Sequence, residues 1–290
     1  MNFIVYGVSG WLGRVTIYYL QEHFPDAKII PISSSTKEIE INGIIHKCYN
    51  LDEALKLKKT GDFYLLNYAF ILQEKVKNFS ESEYESLIIE IRNGATRLIN
   101  YFKPKKIIYS SSGAVYKDDN LYGEMKLKDE NYFSELSKNI GSNILIPRIF
   151  NIGGLYINKY DVYALSNFIC QAMQNDKIDI KAQQRVYRSY VDVTDLLKIF
   201  TSWIEDSENF DYCFDSANPD GAIEMDDLAN ITFKQLNMDK NINRDSISNE
   251  ENRYCGDIEA QTYLTNKYNI NISSHNEIVA NTINYIKNAK

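Results

Sequence analysis

Short, continuously apolar runs alternate along this chain with longer stretches in which apolar residues recur every three or four positions. The runs are Phe3-Ile4-Val5-Tyr6, residues 28–32, Phe63-Tyr64-Leu65-Leu66, Ile107-Ile108-Tyr109 and Asn143-Ile144-Leu145-Ile146. Each is too short for a helix and apolar without alternation, as a strand buried on both faces must be. Helical patterns predict a helix over 15–24 that stops before Pro25, and another over 83–102 with Leu87, Ile88, Ile91, Ala95, Leu98 and Ile99 at helical spacing. A third follows over 122–138. Further on, 165–173 reads as a helix, 178–180 as an edge strand, 213–217 as a final strand before a small domain and 225–236 as the helix after it, with Tyr254-Cys255-Gly256-Asp257, the helix that follows and 278–286 as closing elements. Asp192 and Asp195 stand where they would cap the helix that follows them. No internal repeat, linker or low-complexity segment interrupts the order.

The first run leads straight into Gly7-Val8-Ser9-Gly10-Trp11-Leu12-Gly13-Arg14 and then a helix. In a strand–glycine turn–helix unit, the first glycine permits the tight turn, the second lets backbone approach a pyrophosphate, and the third lets helix pack on strand. The helix N-terminus then offers amides and a dipole to the phosphates. At the end of the second strand an NAD-preferring site places an acid on the ribose 2′-hydroxyl. This chain has Ser33-Ser34-Ser35-Thr36-Lys37 there, with Glu38 close behind and Arg14 just past the glycine loop. Hydroxyls and two cations suit a 2′-phosphate, so NADP(H) is expected over NAD(H).

The run 107–109 ends in Ser110-Ser111-Ser112-Gly113-Ala114-Val115-Tyr116, and after a polar tip comes Tyr122-Gly123-Glu124-Met125-Lys126. Residues i and i+4 share a helix face, so Tyr122 and Lys126 point the same way. A phenol titrates near 10 and becomes useful at neutral pH only when a neighbouring cation stabilises the phenolate. Lys126 supplies that charge, and Ser112 at the strand end is placed to bond the same substrate oxygen that Tyr122 protonates. Among 22 tyrosines a Tyr-x-x-x-Lys spacing alone means little, but three serines closing a strand ahead of it make it specific.

These two motifs resemble the extended short-chain dehydrogenase/reductases: the nucleotide-sugar epimerases, dehydratases and 4-ketoreductases. The resemblance runs from residue 3 to about 286. It implies a Rossmann-type doubly wound parallel sheet, an α/β fold, with a smaller interleaved C-terminal substrate lobe. Residues 1–152 plus 187–217 would bind NAD(P), and 153–186 plus 218–290 the substrate. Catalysis would rest on Ser112, Tyr122 and Lys126. Cofactor contacts would come from Gly7, Gly10, Trp11, Leu12, Gly13, Arg14, Ser33, Ser34, Ser35, Lys37, Asn67, Tyr68, Ala69, Pro147, Tyr122 and Lys126. Pro147-Arg148-Ile149-Phe150-Asn151-Ile152-Gly153 is similar to the segment whose asparagine contacts the sugar nucleotide. Arg188, in Arg188-Ser189-Tyr190-Val191-Asp192-Val193-Thr194-Asp195, would clamp the diphosphate with its bidentate fork. Ser112, Gly113, Asn151 and Arg188 are thus the substrate candidates. Asn93 resembles the asparagine that steadies the active-site helix. The chain departs from the family at Phe70, where a small residue usually follows the alanine, and in the nine residues between Ser112 and Tyr122, a shortened loop. Nine extended residues still span about 30 Å, enough to turn from strand end into helix.

The dehydratases follow the active-site hydroxyl with an Asp-Glu pair, and Gly113-Ala114 stand there instead. The resemblance therefore implies an NADPH-dependent 4-ketoreductase of a nucleotide-activated 6-deoxysugar. The alternatives are a 4-epimerase that keeps NAD bound, or a non-catalytic NADP-binding regulator. Related enzymes dimerise as a four-helix bundle, so a homodimer through 83–102 and 122–138 is expected. A net charge of -7 argues against general nucleic-acid or membrane-surface binding. No apolar run approaches the ~20 residues of a membrane span, and a cytoplasmic protein is expected. Cys48, Cys170, Cys213 and Cys255 are dispersed, as are His23, His46 and His275, which suits reduced thiols and no metal site.

Overall fold

In the computed structural model, which describes residues 1–245 and 248–289, the chain forms two compact units. The first comprises residues 1–148 and 200–213, the second 149–199 and 214–290. The first opens with β1 (Asn2–Tyr6), α1 (Trp11–His23) and β2 (Lys28–Ile32), then a hairpin of β3 (Lys37–Ile41) and β4 (Ile44–Cys48). The short α2 (Leu51–Ala54), β5 (Phe63–Asn67), the short α3 (Gln73–Val76) and α4 (Glu81–Phe102) follow. Then come β6 (Lys106–Tyr109), β7 (Ser111–Ser112), a 3-10 turn at Gly113–Tyr116, α5 (Leu121–Ile140) and β8 (Asn143–Ile149).

The main sheet has the order β13-β8-β6-β5-β1-β2, where β13 is Tyr212–Asp215, and β7 pairs with β8 off this path. From β8 to β2 every neighbouring pair is parallel. The chain runs outward from β1 to β2, then crosses back to build β5, β6 and β8 on the other side. The order reverses between β1 and β5, and a crevice opens beyond the carboxyl ends of those two strands. Alternation assigns the faces: Ile4, Leu65 and Ile107 share a core cluster with Ala95, Leu98, Ile99 and Phe102 of α4 and Phe133 of α5. Phe3 points the opposite way, 5.3 Å from the Phe24 ring just after α1 and 5.7 Å from Tyr64. The segment 200–213 is tied in by Lys106, whose buried ammonium donates to the carbonyls of Trp203 at 2.7 Å and Asp206 at 2.6 Å.

The second unit contains β9 (Asn151–Gly153), α6 (Ala164–Asn175), β10 (Ile178–Ile180), β11 (Arg185–Arg188) and β12 (Tyr190–Asp192). The helix α7 (Val193–Glu205) carries the chain back to the first unit. After β13 come β14 (Ile223–Glu224), α8 (Met225–Leu236), β15 (Ile242–Arg244), β16 (Glu251–Tyr254), α9 (Glu259–Lys267) and α10 (His275–Asn288). Its strands form small sheets, β9 with β12, β10 with β15, and β14-β11-β16. Segment 187–199 lies in the second unit, where β11 pairs with β14 and β16, and β12 with β9. Asp192 caps α7 as its position suggests, its Oδ1 accepting from Thr194 N at 2.9 Å.

Two elements differ from the periodicity. Helix α1 begins at Trp11 rather than 15, since its first turn carries the glycine motif instead of an apolar stripe. The β3–β4 hairpin replaces what reads as loop after Ser33. Asn42 and Gly43 both take positive φ, 50° and 73°, in the two-residue turn that matches strand twist.

Phe133 is 1% exposed and its ring lies 4.9 Å from Tyr109, so it pins α5 to the sheet. Phe133→Ala is expected to cost about 3–5 kcal/mol in urea unfolding. A loss under about 1 kcal/mol would show that α5 is held by something else.

Candidate active site

The crevice between β1 and β5 is lined by backbone. Gly7 has φ +92°, and a Cβ there would stand 2.6 Å from Ala69 N. A Cβ on Gly13 would stand 2.5 Å from Val8 Cα, so only glycine lets α1 pack this close to its own strand. Gly10 is the N-cap of α1, with no side chain capping the helix and no acid in its first turn. The first turn of α1, Trp11, Leu12 and Gly13, thus brings no acid to the positive end of the helix dipole, which suits a pyrophosphate. Across the crevice, Asn67 Oδ1 accepts from Ala69 N at 3.3 Å, and Thr16 donates to the buried Tyr68 hydroxyl at 3.0 Å. Tyr68 is bonded to α1, and burial pushes its phenol above the usual range.

At the end of β2, Ser33 is buried and donates to Ser35 O, while Ser34 and Ser35 are exposed. Thr36 donates to Glu53 Oε2, which also closes the capping box of α2. The hairpin places Lys37 so that its Nζ donates to Ser9 Oγ in the glycine loop at 2.6 Å. Lys37 and Arg14 both act on the buried Cys48 thiol, which burial raises and these two cations pull down. Lys37, distant in sequence, thus reaches the glycine loop, while Arg14 lies in the first turn of α1 just after it. Glu38 is exposed and paired in register with Lys47.

The catalytic candidates sit where β6 passes into α5. Ser112 is the N-cap of the 3-10 turn, and its Oγ accepts from Ala114 N at 3.2 Å. Asn120 caps α5 by accepting from Gly123 N at 3.1 Å. A Cβ on Gly123 would lie 2.1 Å from Ala114 O, so α5 rests directly on the turn that carries Ser112 and Gly113. This close packing lets the short connection reach the helix. Tyr122 and Lys126 follow one turn apart on α5. Lys126 is 4% exposed and its Nζ donates to Ser110 O at 2.7 Å. The ammonium lies 3.8 Å over the Phe70 ring and 5.0 Å from the Tyr109 ring. Burial brings its pKa down to about 7, against the pull of Asp129 and Glu130.

Beneath Lys126 the structure adds residues that the motif did not single out. Asp129 accepts from Arg92 Nε and from the Tyr109 hydroxyl, the latter at 3.1 Å. Glu130 accepts from Ser111 Oγ and takes Arg148 in a bidentate pair, at 2.9 Å from Nε and 2.7 Å from Nη2. Positions i+3 and i+4 from Lys126 were the available signal. Asn93 is exposed, and it is its neighbour Arg92 that reaches Asp129 on α5. Pro147 lies in β8 next to Arg148.

The remaining candidates belong to the second unit. Asn151 opens β9 and its Nδ2 donates to Ser189 O at 3.1 Å. Arg188 closes β11, its Nη1 donating to Tyr187 O at 2.8 Å and Asn252 O at 3.2 Å, beside the Tyr254 ring. Burial holds its guanidinium below the usual range. Among the described residues no cluster of His, Cys, Asp and Glu forms a metal site.

A model of the NAD dependent epimerase/dehydratase family matches residues 3–212, and the chain belongs to that family. It is the family of the extended short-chain dehydrogenase/reductases that the motifs resemble. No curated protein matches the chain in sequence. Among solved structures, a UDP-glucose 4-epimerase from Thermotoga maritima, with UDP-glucose, is 15% identical with a TM-score of 0.79, covering 100% of this chain and 99% of that one. A UDP-N-acetylglucosamine 4-epimerase from Methanobrevibacter ruminantium, in complex with UDP-N-acetylmuramic acid, is 18% identical at 0.79, with the same coverage. RMD from Pseudomonas aeruginosa, complexed with NADPH, is 16% identical at 0.75, again covering 100% and 99%. At these identities the likeness is one of fold.

The depressed pKa of Lys126 sets a pH dependence. Between its folded value of about 7 and the unfolded value near 10.5, the unfolded chain binds the extra proton, so raising pH favours the folded state. Lys126→Met removes this term. Its stability relative to wild type should be greatest below pH 7 and decline toward pH 10, read by urea unfolding across that range. A difference independent of pH would show that Lys126 is not depressed.

Proposed function

We propose that the protein is an NADPH-dependent 4-ketoreductase of a nucleotide-activated 6-deoxysugar. The observation that carries the reading is the Tyr122–Lys126 pair: an ammonium fixed on Ser110 O, one helical turn from a phenol, on a helix that rests on the Ser112 turn. Tyr122 donates its proton to the C4 oxygen, Lys126 stabilises the phenolate left behind, and Ser112 orients the same oxygen. Reduced nicotinamide, when bound, supplies the hydride that carbon C4 receives. The N-terminus of α1, with no acid in its first turn, fits its pyrophosphate, and Lys37 beside Ser9 fits a 2′-phosphate, with Arg14 a second cation close to the glycine loop. A reductase must exchange its cofactor at each turnover and gains from selecting the reduced NADPH pool, whereas an epimerase returns its hydride and gains nothing.

Arg188 and Asn151 support a nucleotide-diphosphate substrate, as do the nucleotide sugars held by two of the similar structures. The second reading, a 4-epimerase with retained NAD, is favoured by the number of epimerases among those structures. The intact Ser112, Tyr122 and Lys126 speak against a non-catalytic NADP-binding regulator. Four cysteines dispersed along the sequence with no Cys-x-x-Cys pair suit the cytoplasm.

The purified protein should consume NADPH in equal amount with a nucleotide-linked 4-keto-6-deoxysugar and prefer NADPH to NADH in kcat/KM, with Lys37→Ala narrowing the preference. Tyr122→Phe should lower turnover by roughly 100- to 10,000-fold and leave NADPH binding in place. Tightly bound NAD and interconversion of two sugar nucleotides without added cofactor would establish the epimerase instead.

The same reading includes a homodimer through α4 and α5. Ile89 on α4 and Leu127 on α5 are large apolar residues left 44% and 40% exposed, and Glu85 and Lys128 pair across the two helices at 2.9 Å. Sedimentation at micromolar concentration should give a dimer, reduced toward monomer by Leu127→Glu. A monomeric wild type would remove this part of the proposal.

A further inference from the structure

Phe70 stands where the family usually has a small residue, directly after Ala69 in the loop that faces Gly7 across the switch-point crevice. Its side chain is partly buried against Tyr84, Ile88 and Met125, which fixes the ring between α4 and α5. From that position it makes two contacts with the catalytic pair. Its face lies 3.8 Å from Lys126 Nζ, within the range of a strong cation–π contact. Its plane meets the Tyr122 ring edge-on, with centroids 5.4 Å apart and planes at 89°. Ser110 O takes a hydrogen bond of the same ammonium at 2.7 Å, and only 4% of Lys126 is exposed. With Ser110 O and the ring face already engaging the ammonium, a hydroxyl that bonds Lys126 shares it with the Phe70 ring.

We propose that Phe70 is the residue that sets how loosely this site holds its dinucleotide, by competing with the cofactor's ribose hydroxyls for the Lys126 ammonium. The inference rests on the reading of Lys126 as a cofactor-binding residue, and it deepens that reading. A ring held over the ammonium, taking part of its charge, weakens the complex and speeds its dissociation. That is a cost for an enzyme that keeps its cofactor and an advantage for one that exchanges it at every turnover. The same ring keeps water from the ammonium, so Tyr122 and Lys126 stay matched between turnovers.

The test is NADPH titration calorimetry with stopped-flow dissociation on wild type, Phe70→Leu and Phe70→Ala. Phe70→Leu retains the packing on Tyr84, Ile88 and Met125 and removes only the ring face, so it remains informative if Phe70→Ala unfolds. Losing a cation–π competitor should tighten NADPH by about two- to thirtyfold, mostly through a slower off-rate. In a Lys126→Met background the same substitution should leave affinity unchanged, because the competition is gone. If wild type binds NADPH and Phe70→Leu binds equally or more weakly, the inference fails and the proposed function stands. A gain that persists in the Lys126→Met background also overturns it. If neither wild type nor either Phe70 variant binds NADPH, both readings fall together.

Discussion

The burial of one lysine ammonium is the constraint around which the active region is arranged. An unpaired charge out of water costs several kcal/mol, and Lys126 is almost wholly enclosed. Several groups offset that cost. Ser110 O accepts a hydrogen bond, the Phe70 and Tyr109 rings present their faces, and Asp129 and Glu130 supply negative charge from the same helix. Those carboxylates are themselves held by Arg92 and Arg148. Three cations thus face two carboxylates, which leaves the neighbourhood positive one turn from the Tyr122 phenol. A phenolate there meets favourable charge.

The same network fixes the position of α5. Arg92 joins it to α4, Tyr109 and Ser111 join it to the end of β6 and to β7, and Arg148 joins it to β8. Gly123 against Ala114 O then sets how closely the helix approaches the Ser112 turn. With only nine residues between Ser112 and Tyr122, these contacts place the helix N-terminus beside the strand end. Any side chain at position 123 would push Tyr122 away from Ser112 through the backbone.

Charge is distributed unevenly in the first unit. The whole chain carries -7, yet Lys37 reaches the glycine loop at Ser9 and Arg14 follows that loop in the first turn of α1. The hairpin is the cause. By folding β3 and β4 back around Asn42-Gly43, it brings a lysine to Ser9 that an open loop would leave in solvent. Local field at a phosphate site is a matter of such placements and is independent of net charge.

What the sequence determined by itself was local. Continuous apolar runs marked β1, β2, β5, β6 and β8, because strands buried on both faces have no polar side to hide. The glycine spacing marked the first turn, because only glycine tolerates φ +92° at Gly7 and the contact at Gly13. Tyr122 and Lys126 were legible because four residues are one helical turn. Tertiary structure decided the rest, and in each case through partners distant in the chain. Asp129 and Glu130 read as ordinary helix charges until Arg92 and Arg148 close on them. Asn93 and Arg92 are adjacent in sequence, and only the rotation of α4 against α5 sends the arginine inward and the asparagine to solvent. Segment 187–199 joined the second unit because backbone hydrogen bonds to β9, β14 and β16 claimed it, a choice of partner that no apolar pattern encodes. Phe70 looked like a mere departure from a small residue; its ring lies over Lys126 because α4 and α5 enclose it there, 56 residues along the chain from the lysine it covers.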